Sequence, residues 1–188
     1  MRVVLYTPTY YASPGTQARV DLVRKSLEIA GHRTTLITGR ESGLQPIYHS
    51  LGKKLLTLES TWKLIGRFIA RSICKQKPEV AVLFIDVSAS AIPYLRKHSI
   101  TTILSVEDLT PEYKNYDSKS SKKFYDILLK YADQADAILS SSYVLSKRLE
   151  YMGLKAKYVP IGLKPSVSPK EALARQYPPI LLHAGQLN

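Results

Sequence analysis

A chain of 188 residues with 45% hydrophobic and 22% charged side chains is long enough to bury one real core, and that balance excludes the disordered, collagen-like and disulfide-scaffold classes. Its one cysteine, Cys74, permits no intrachain disulfide, which fits a reducing compartment, and no run approaches the roughly 18 apolar residues that span a bilayer. The formal charge of +12 is the unusual number: it favours polyanions of any kind, whether nucleic acid, anionic lipid or phosphorylated substrate, and it equally serves plain solubility.

Residues 2–6 form a short apolar run rich in β-branched side chains, the pattern of a buried strand. No apolar leader precedes them, so the expected location is the cytoplasm, with peripheral attachment to a membrane as a variant. A Pro/Gly-containing loop over 7–16 follows. Residues 17–30 then place Val20, Val23, Leu27 and Ala30 at helical spacing before Gly31, a natural residue for closing a helix. Residues 34–38 return as strand, so about forty residues make one βαβ unit.

The rhythm repeats downstream. Leu58, Trp62, Ile65, Ile69 and Ile73 make one stripe of a long helix that ends before Pro78, and 80–85 is an almost wholly apolar strand, as expected of one covered on both faces. A short helix over 91–97 leads to a strand at 101–106. Phe124, Ile127, Leu128 and Tyr131 share a helical face, and 137–139 begins another strand. Ser140, Ser141 and Ser142 offer N-caps to a helix that runs to Met152 and closes at Gly153. Strands and helices alternating in this way predict an α/β fold with a doubly wound parallel sheet and right-handed crossovers. Residues 164–179 are proline-rich and weakly periodic, a linker, and 180–185 is a strand running into a glycine. The expected organisation is therefore a Rossmann-like domain over 1–163, a linker over 164–179, and over 180–188 the first strand of a second domain or a tail docked on the sheet.

Several of these residues, taken in order, resemble the N-terminal half of a GT-B glycosyltransferase, specifically the retaining group called family 4 or group 1. Thr7-Pro8-Thr9-Tyr10-Tyr11 followed by Pro14-Gly15-Thr16-Gln17-Ala18-Arg19 is similar to that family's glycine-loop entry, and Gly31-His32 to its Gly-His turn. Lys77-Pro78-Glu79-Val80 resembles its Lys-Pro-Asp-Val element, and Ala135-Asp136-Ala137-Ile138 with Ser142 and Leu149 through Gly153 a later stretch. Val159-Pro160-Ile161-Gly162 is similar to its interdomain exit, and Leu182 to Leu187 to its second-domain opening strand. The resemblance implies transfer of a sugar from a nucleotide-sugar donor to a glycan or lipid-linked acceptor. It further implies an acceptor-binding role for this half, a donor held by a second domain, no cofactor beyond that co-substrate, and no activity of the half alone.

Four groups of residues are candidates for the site. Gly15 and Thr16 lie where unpaired backbone N–H groups and the helix dipole suit a phosphate, or form a plain turn; the family has two glycines there. Arg19, in the first helical turn, reaches a phosphate or carboxylate or else stands in solvent. Glu107 and Asp108 follow the strand at 101–106, at the carboxyl edge where open α/β sheets bind ligands. The family commonly has a histidine at the position of Glu107; a carboxylate there would stabilise an oxocarbenium-like centre or orient an acceptor hydroxyl. Asp108 has the alternative of capping the next segment through Thr110. Ser142 is read first as a helix cap and second as a ligand contact.

Lys63, Arg67, Arg71 and Lys75 recur every four residues on one helical face, either to meet an anionic membrane surface or as the wet side of a core helix. The four histidines are dispersed and predict no metal site. Nucleic acid is disfavoured as a partner, because the tyrosines fall in no RNA-binding motif. A non-catalytic, membrane-recruiting subunit of a split glycosyltransferase is the alternative function, and a basic nucleic-acid-binding protein the weaker one. An exposed apolar strand near the chain end would favour a homodimer.

Overall fold

The computed structural model describes residues 1–9, 14–44, 53–113 and 115–160. The linker and strand expected over 164–188, together with Tyr10, Tyr11, His49, Gly162 and His183, lie outside the described residues. In chain order the elements are β1 (Arg2–Thr7), α1 (Pro14–Ile29), β2 (Arg33–Thr38), α2 (Lys53–Leu56), α3 (Glu59–Cys74) and β3 (Val80–Phe84). A 3₁₀ turn over Asp86–Ala91 leads into α4 (Ile92–Arg96), followed by β4 (Thr101–Val106), α5 (Thr110–Tyr113), α6 (Ser118–Ala132), β5 (Ala137–Ser140), α7 (Tyr143–Tyr151) and β6 (Ala156–Tyr158).

The six strands form one sheet in the order β2-β1-β3-β4-β5-β6, with every pairing parallel. This is the Rossmann-like α/β architecture that the alternation of elements predicts. Right-handed crossovers explain where the helices go. The step from β1 to β2 moves one way across the sheet and lays α1 on one face. Every later step moves the other way and lays α3, α4, α6 and α7 on the opposite face. The strand residues divide accordingly, with period two. Val3, Leu5, Val82 and Phe84 pack with Val20 of α1, while Val4, Tyr6, Ala81, Leu83, Leu104 and Val106 join the larger core. On the α1 side Ile103 and Leu139 stay half-buried, whereas Leu104 and Ile138 on the other side are buried.

Trp62 anchors that larger core. It is fully buried, donates its indole N–H to the Leu56 carbonyl at 2.9 Å, meets Phe124 edge-on at 5.1 Å and stacks on Tyr131 at 5.8 Å. One side chain thereby joins α2, α3 and α6. Gly66 lets α3 lie directly against the Ser90 carbonyl, since any Cβ there would collide with it. Gly31 closes α1 at φ 81°, and His32 donates to the Leu27 carbonyl at 2.9 Å.

Two sequence expectations shift and one turn is added. Leu58 is the residue before α3 rather than the start of its buried stripe, and it is 48% exposed; the helix begins at Glu59, so Leu58 has no turn to lie on. The short helix expected at 91–97 is α4, and the 3₁₀ turn that precedes it over Asp86–Ala91 is an addition, in which buried Ser88 donates its hydroxyl to the Phe84 carbonyl at 2.7 Å. α1 begins at Pro14, whose fixed φ and missing N–H suit a first helical turn.

Candidate functional site

The winding direction reverses between β1 and β3. At such a point the loops from the carboxyl ends of neighbouring strands diverge and leave a crevice. Three segments converge on that edge: the first turn of α1, the exit of β3 at Ile85 and Asp86, and the exit of β4 at Glu107 and Asp108.

Because α1 starts at Pro14, Gly15 and Thr16 belong to its first turn. Gly15 is exposed and Thr16 buried. The Thr16 hydroxyl donates to Glu107 Oε2 at 3.1 Å, across 91 positions of sequence. Arg19, one turn further along, places Nε 3.4 Å from Glu107 Oε1. It also donates from Nε and Nη2 to Ser105 Oγ at 3.4 and 3.3 Å. With 4% of its surface exposed, Arg19 is no solvated arginine; the partner it reaches is the carboxylate of Glu107. Behind Glu107, Ser141 Oγ donates to its main-chain carbonyl at 3.1 Å, tying the β4 exit to the β5 exit.

The electrostatics of this pair are those of charges taken out of water. Burial pushes the Glu107 carboxyl up from its ordinary value, against the Thr16 hydrogen bond and the Arg19 charge, with Asp108 adding a smaller upward push. Burial likewise lowers Arg19, opposed by the attraction of Glu107. Each partner is thus moved toward its neutral form, because desolvation outweighs their mutual attraction. Among the described residues no donor is aligned on Glu107 Oε1, since Arg19 turns its N–H groups to Ser105. A buried carboxylate oxygen with unused lone pairs gains from an incoming hydroxyl or proton.

A second buried carboxylate lies at the exit of the neighbouring strand. Asp86 is fully buried at the exit of β3. Its Oδ1 accepts from the Val87 N–H and the Thr110 hydroxyl, both at 2.7 Å, and its Oδ2 from the Thr110 N–H at 2.6 Å. Asp86, from a different strand, thus receives both the main-chain N–H and the hydroxyl of Thr110. Burial is the main reason its carboxyl is pushed up to about 6 despite three hydrogen bonds. Just before it, Ile85 is held at φ 74° and ψ 143°. Only glycine enters that region readily; a β-branched residue there costs roughly 1–3 kcal/mol, and such backbone clusters where a fold aims side chains at a ligand.

The other candidates lie elsewhere. Ser142 caps α7, accepting from the Leu145 N–H at 3.1 Å. Lys63, Arg67, Arg71 and Lys75 are all exposed along α3, and Lys75 and Arg71 sit toward the amino edge of the sheet, since α3 ends just before β3 begins. Sequence reasoning passed over Ser105, Ile85 and Asp86, and read Ser141 only as a candidate helix cap. For Asp86 a signal existed: like Glu107, it is the acidic residue that ends an apolar strand run. For Ser105 the signal was one hydroxyl inside the apolar run of β4. Among the described residues no group of three or more His, Cys, Asp or Glu side chains is placed to hold a metal, and no helix is long and apolar enough to cross a membrane.

No protein-family model matches this chain, and no curated protein matches it. Among solved structures, the spinosyn rhamnosyltransferase SpnG in complex with thymidine diphosphate is similar over 75% of this chain and 45% of its own, at 11% identity and a TM-score of 0.39. The chain thus spans less than half the length of that glycosyltransferase, and a likeness of this size carries no inference about chemistry.

Proposed function

We propose that this domain is the acceptor-side half of a retaining glycosyltransferase of the two-domain GT-B type, moving a sugar from a nucleotide-sugar donor to a glycan or lipid-linked acceptor. The observation that carries the reading is Glu107, a carboxylate at the carboxyl edge beside the winding reversal, clamped by Thr16, Arg19 and Ser141. Retaining transfer builds positive charge on the anomeric carbon. A carboxylate held in a poorly solvated place either stabilises that charge or accepts the hydrogen bond of the attacking hydroxyl. Thr16 and Arg19 act through Glu107: they fix its orientation and oppose the upward pull of burial on its carboxyl. Gly15, exposed at the start of α1, leaves the helix N-terminus open to a phosphate of the donor or acceptor. Asp86 holds the following Leu109–Thr110 segment in place, so that Asp108 stays at the mouth of the same crevice.

The test is a screen of nucleotide sugars against glycan and lipid-linked acceptors with the full-length protein. Transfer is expected with at least one pair, and Glu107→Gln should lower turnover by about 10²–10⁴-fold with an unchanged far-UV circular dichroism spectrum. If no donor is transferred or hydrolysed, the reading fails. The exposed cations of α3 favour one other reading, a membrane-recruiting subunit that leaves donor binding to a separate chain; there, transfer appears only when that chain is added, and Glu107→Gln leaves it intact.

A further inference from the structure

The larger share of the exposed charge lies away from Glu107. Beyond Glu59 at the start of α3, residues 60–78 and 87–106, which supply the rest of α3, α4 and the turns after them, contain no aspartate or glutamate, yet carry Lys63, Arg67, Arg71, Lys75, Lys77, Arg96 and Lys97. On α3 the buried residues Trp62, Ile65, Ile69 and Ile73 occupy one side. At 100° per residue, Leu64, Arg71 and Lys75 fall on the opposite side, with Phe68 beside them. Leu64 is 57% and Phe68 45% exposed, and being four residues apart they are neighbours. Leu55 and Leu58, just before the helix, are also exposed. Apolar side chains of this size, turned to solvent and interleaved with arginine and lysine, are not what a plain wet face presents.

A groove of about 480 Å³ runs between α3 and α4, lined by Arg67, Arg71, Lys75, Tyr94 and His98 among others. Arg67 lies over the Tyr94 ring at 5.9 Å, which steadies its guanidinium at the rim. Lys63 is different. It pairs with Glu59 at 3.1 Å, and Glu59 also holds Lys130 at 2.8 Å, so its charge is largely answered within the protein.

We propose that this face docks on an anionic lipid bilayer, with Arg67, Arg71 and Lys75 meeting headgroup phosphates and Leu64 and Phe68 entering the headgroup–acyl boundary. Charge complementarity selects an anionic surface, and the paired aliphatic and phenyl side chains select a lipid over a soluble polyanion, which offers them nothing to enter. Since α3 packs flat on the sheet, docking lays the sheet along the membrane and leaves the carboxyl edge opening sideways, within reach of a lipid-linked acceptor. Only that last consequence rests on the transferase reading; the docking stands without it.

The experiment is co-sedimentation of the full chain with large vesicles of phosphatidylcholine alone or mixed with phosphatidylglycerol, at physiological salt. Binding is expected to the mixed vesicles and not to the neutral ones. Arg71→Ala/Lys75→Ala should lower the partition coefficient about 30-fold, roughly fivefold per cation. Phe68→Ser, which changes no charge, should lower it about tenfold. Lys25→Ala/Arg33→Ala, which removes equal charge from exposed positions on and beside α1, should change it less than twofold. Equal loss in both double variants would reduce the effect to net charge and overturn the proposal. So would unchanged binding by Phe68→Ser, equal binding to neutral vesicles, or binding to inorganic tripolyphosphate with none to vesicles. All substituted side chains are exposed, and thermal unfolding of each variant checks that the fold is intact.

Discussion

Two charged regions of this protein show opposite solutions to one problem. At the carboxyl edge, Arg19, Glu107 and Asp86 are drawn inside and held by specific partners, Thr16, Ser105, Val87 and Thr110, with Glu107 Oε1 left without an aligned donor among the described residues. Along α3, Arg67, Arg71 and Lys75 stay in water, and the one acidic residue of that helix, Glu59, is taken by Lys63 and Lys130. The first region holds its groups in fixed places at the expense of desolvation; the second keeps its charge available. Precise geometry belongs to a site that positions reacting groups, and available charge to a surface that meets a large, loosely defined partner.

The comparison breaks most visibly if one partner of the buried pair is removed. Arg19→Met leaves Glu107 enclosed without its counter-charge, and the unfolding free energy in urea should fall by about 3–5 kcal/mol. Arg19→Met/Glu107→Gln should recover a large part of that loss. Equal losses in the single and double variants would show that packing, not charge, sets the cost.

Asp86 gives the region a pH signature. Its carboxyl is raised from 3.8 to about 6 in the folded chain, so the folded state holds the proton more tightly than the unfolded one. That contribution is complete below about pH 4 and lost as pH rises through 6. Against Asp86→Asn, the native chain should lose on the order of 3 kcal/mol between pH 4 and 7, read from urea midpoints at both values. A difference that does not vary with pH would assign the group an ordinary titration.

Smaller effects sharpen the contrast. Ser142→Ala removes the cap of α7 and should cost about 1 kcal/mol, with Ser142→Gly costing only a few tenths, because the role is local and does not touch the Glu107 cluster. Arg71→Ala and Lys75→Ala should change stability by less than about 0.5 kcal/mol in thermal unfolding, although the pair is expected to govern vesicle binding. A larger loss of stability would mean that these side chains serve the fold after all.

Much of the architecture was legible because its signals are local. The apolar runs of β1, β3 and β4, the stripe of Trp62, Ile65, Ile69 and Ile73, the closing Gly31 and Gly153, and the Ser142 cap each act within a few residues. The parallel sheet followed from their alternation. The errors came where a local signal competed with a distant one. Leu58 fits the helical period but precedes the helix. Other partners are too distant to be read locally at all: the Thr110 N–H goes to Asp86, which parallel pairing of β3 with β4 brings alongside.

What the sequence determined by itself, then, is the order of elements, the faces of the helices and the two carboxylates at the end of β4, since periodicity and capping are properties of short stretches of chain. What only the tertiary structure decided is which of those residues share a site. Thr16 and Arg19 meet Glu107 because the winding reversal sets the start of α1 against the exit of β4. It is enclosure by the rest of the fold that turns a surface arginine and a strand-end glutamate into a buried pair. The exposure of Leu64 and Phe68 was settled in the same way: the helical period names the inward side of α3, but only the packed molecule shows that nothing among the described residues covers the outward one.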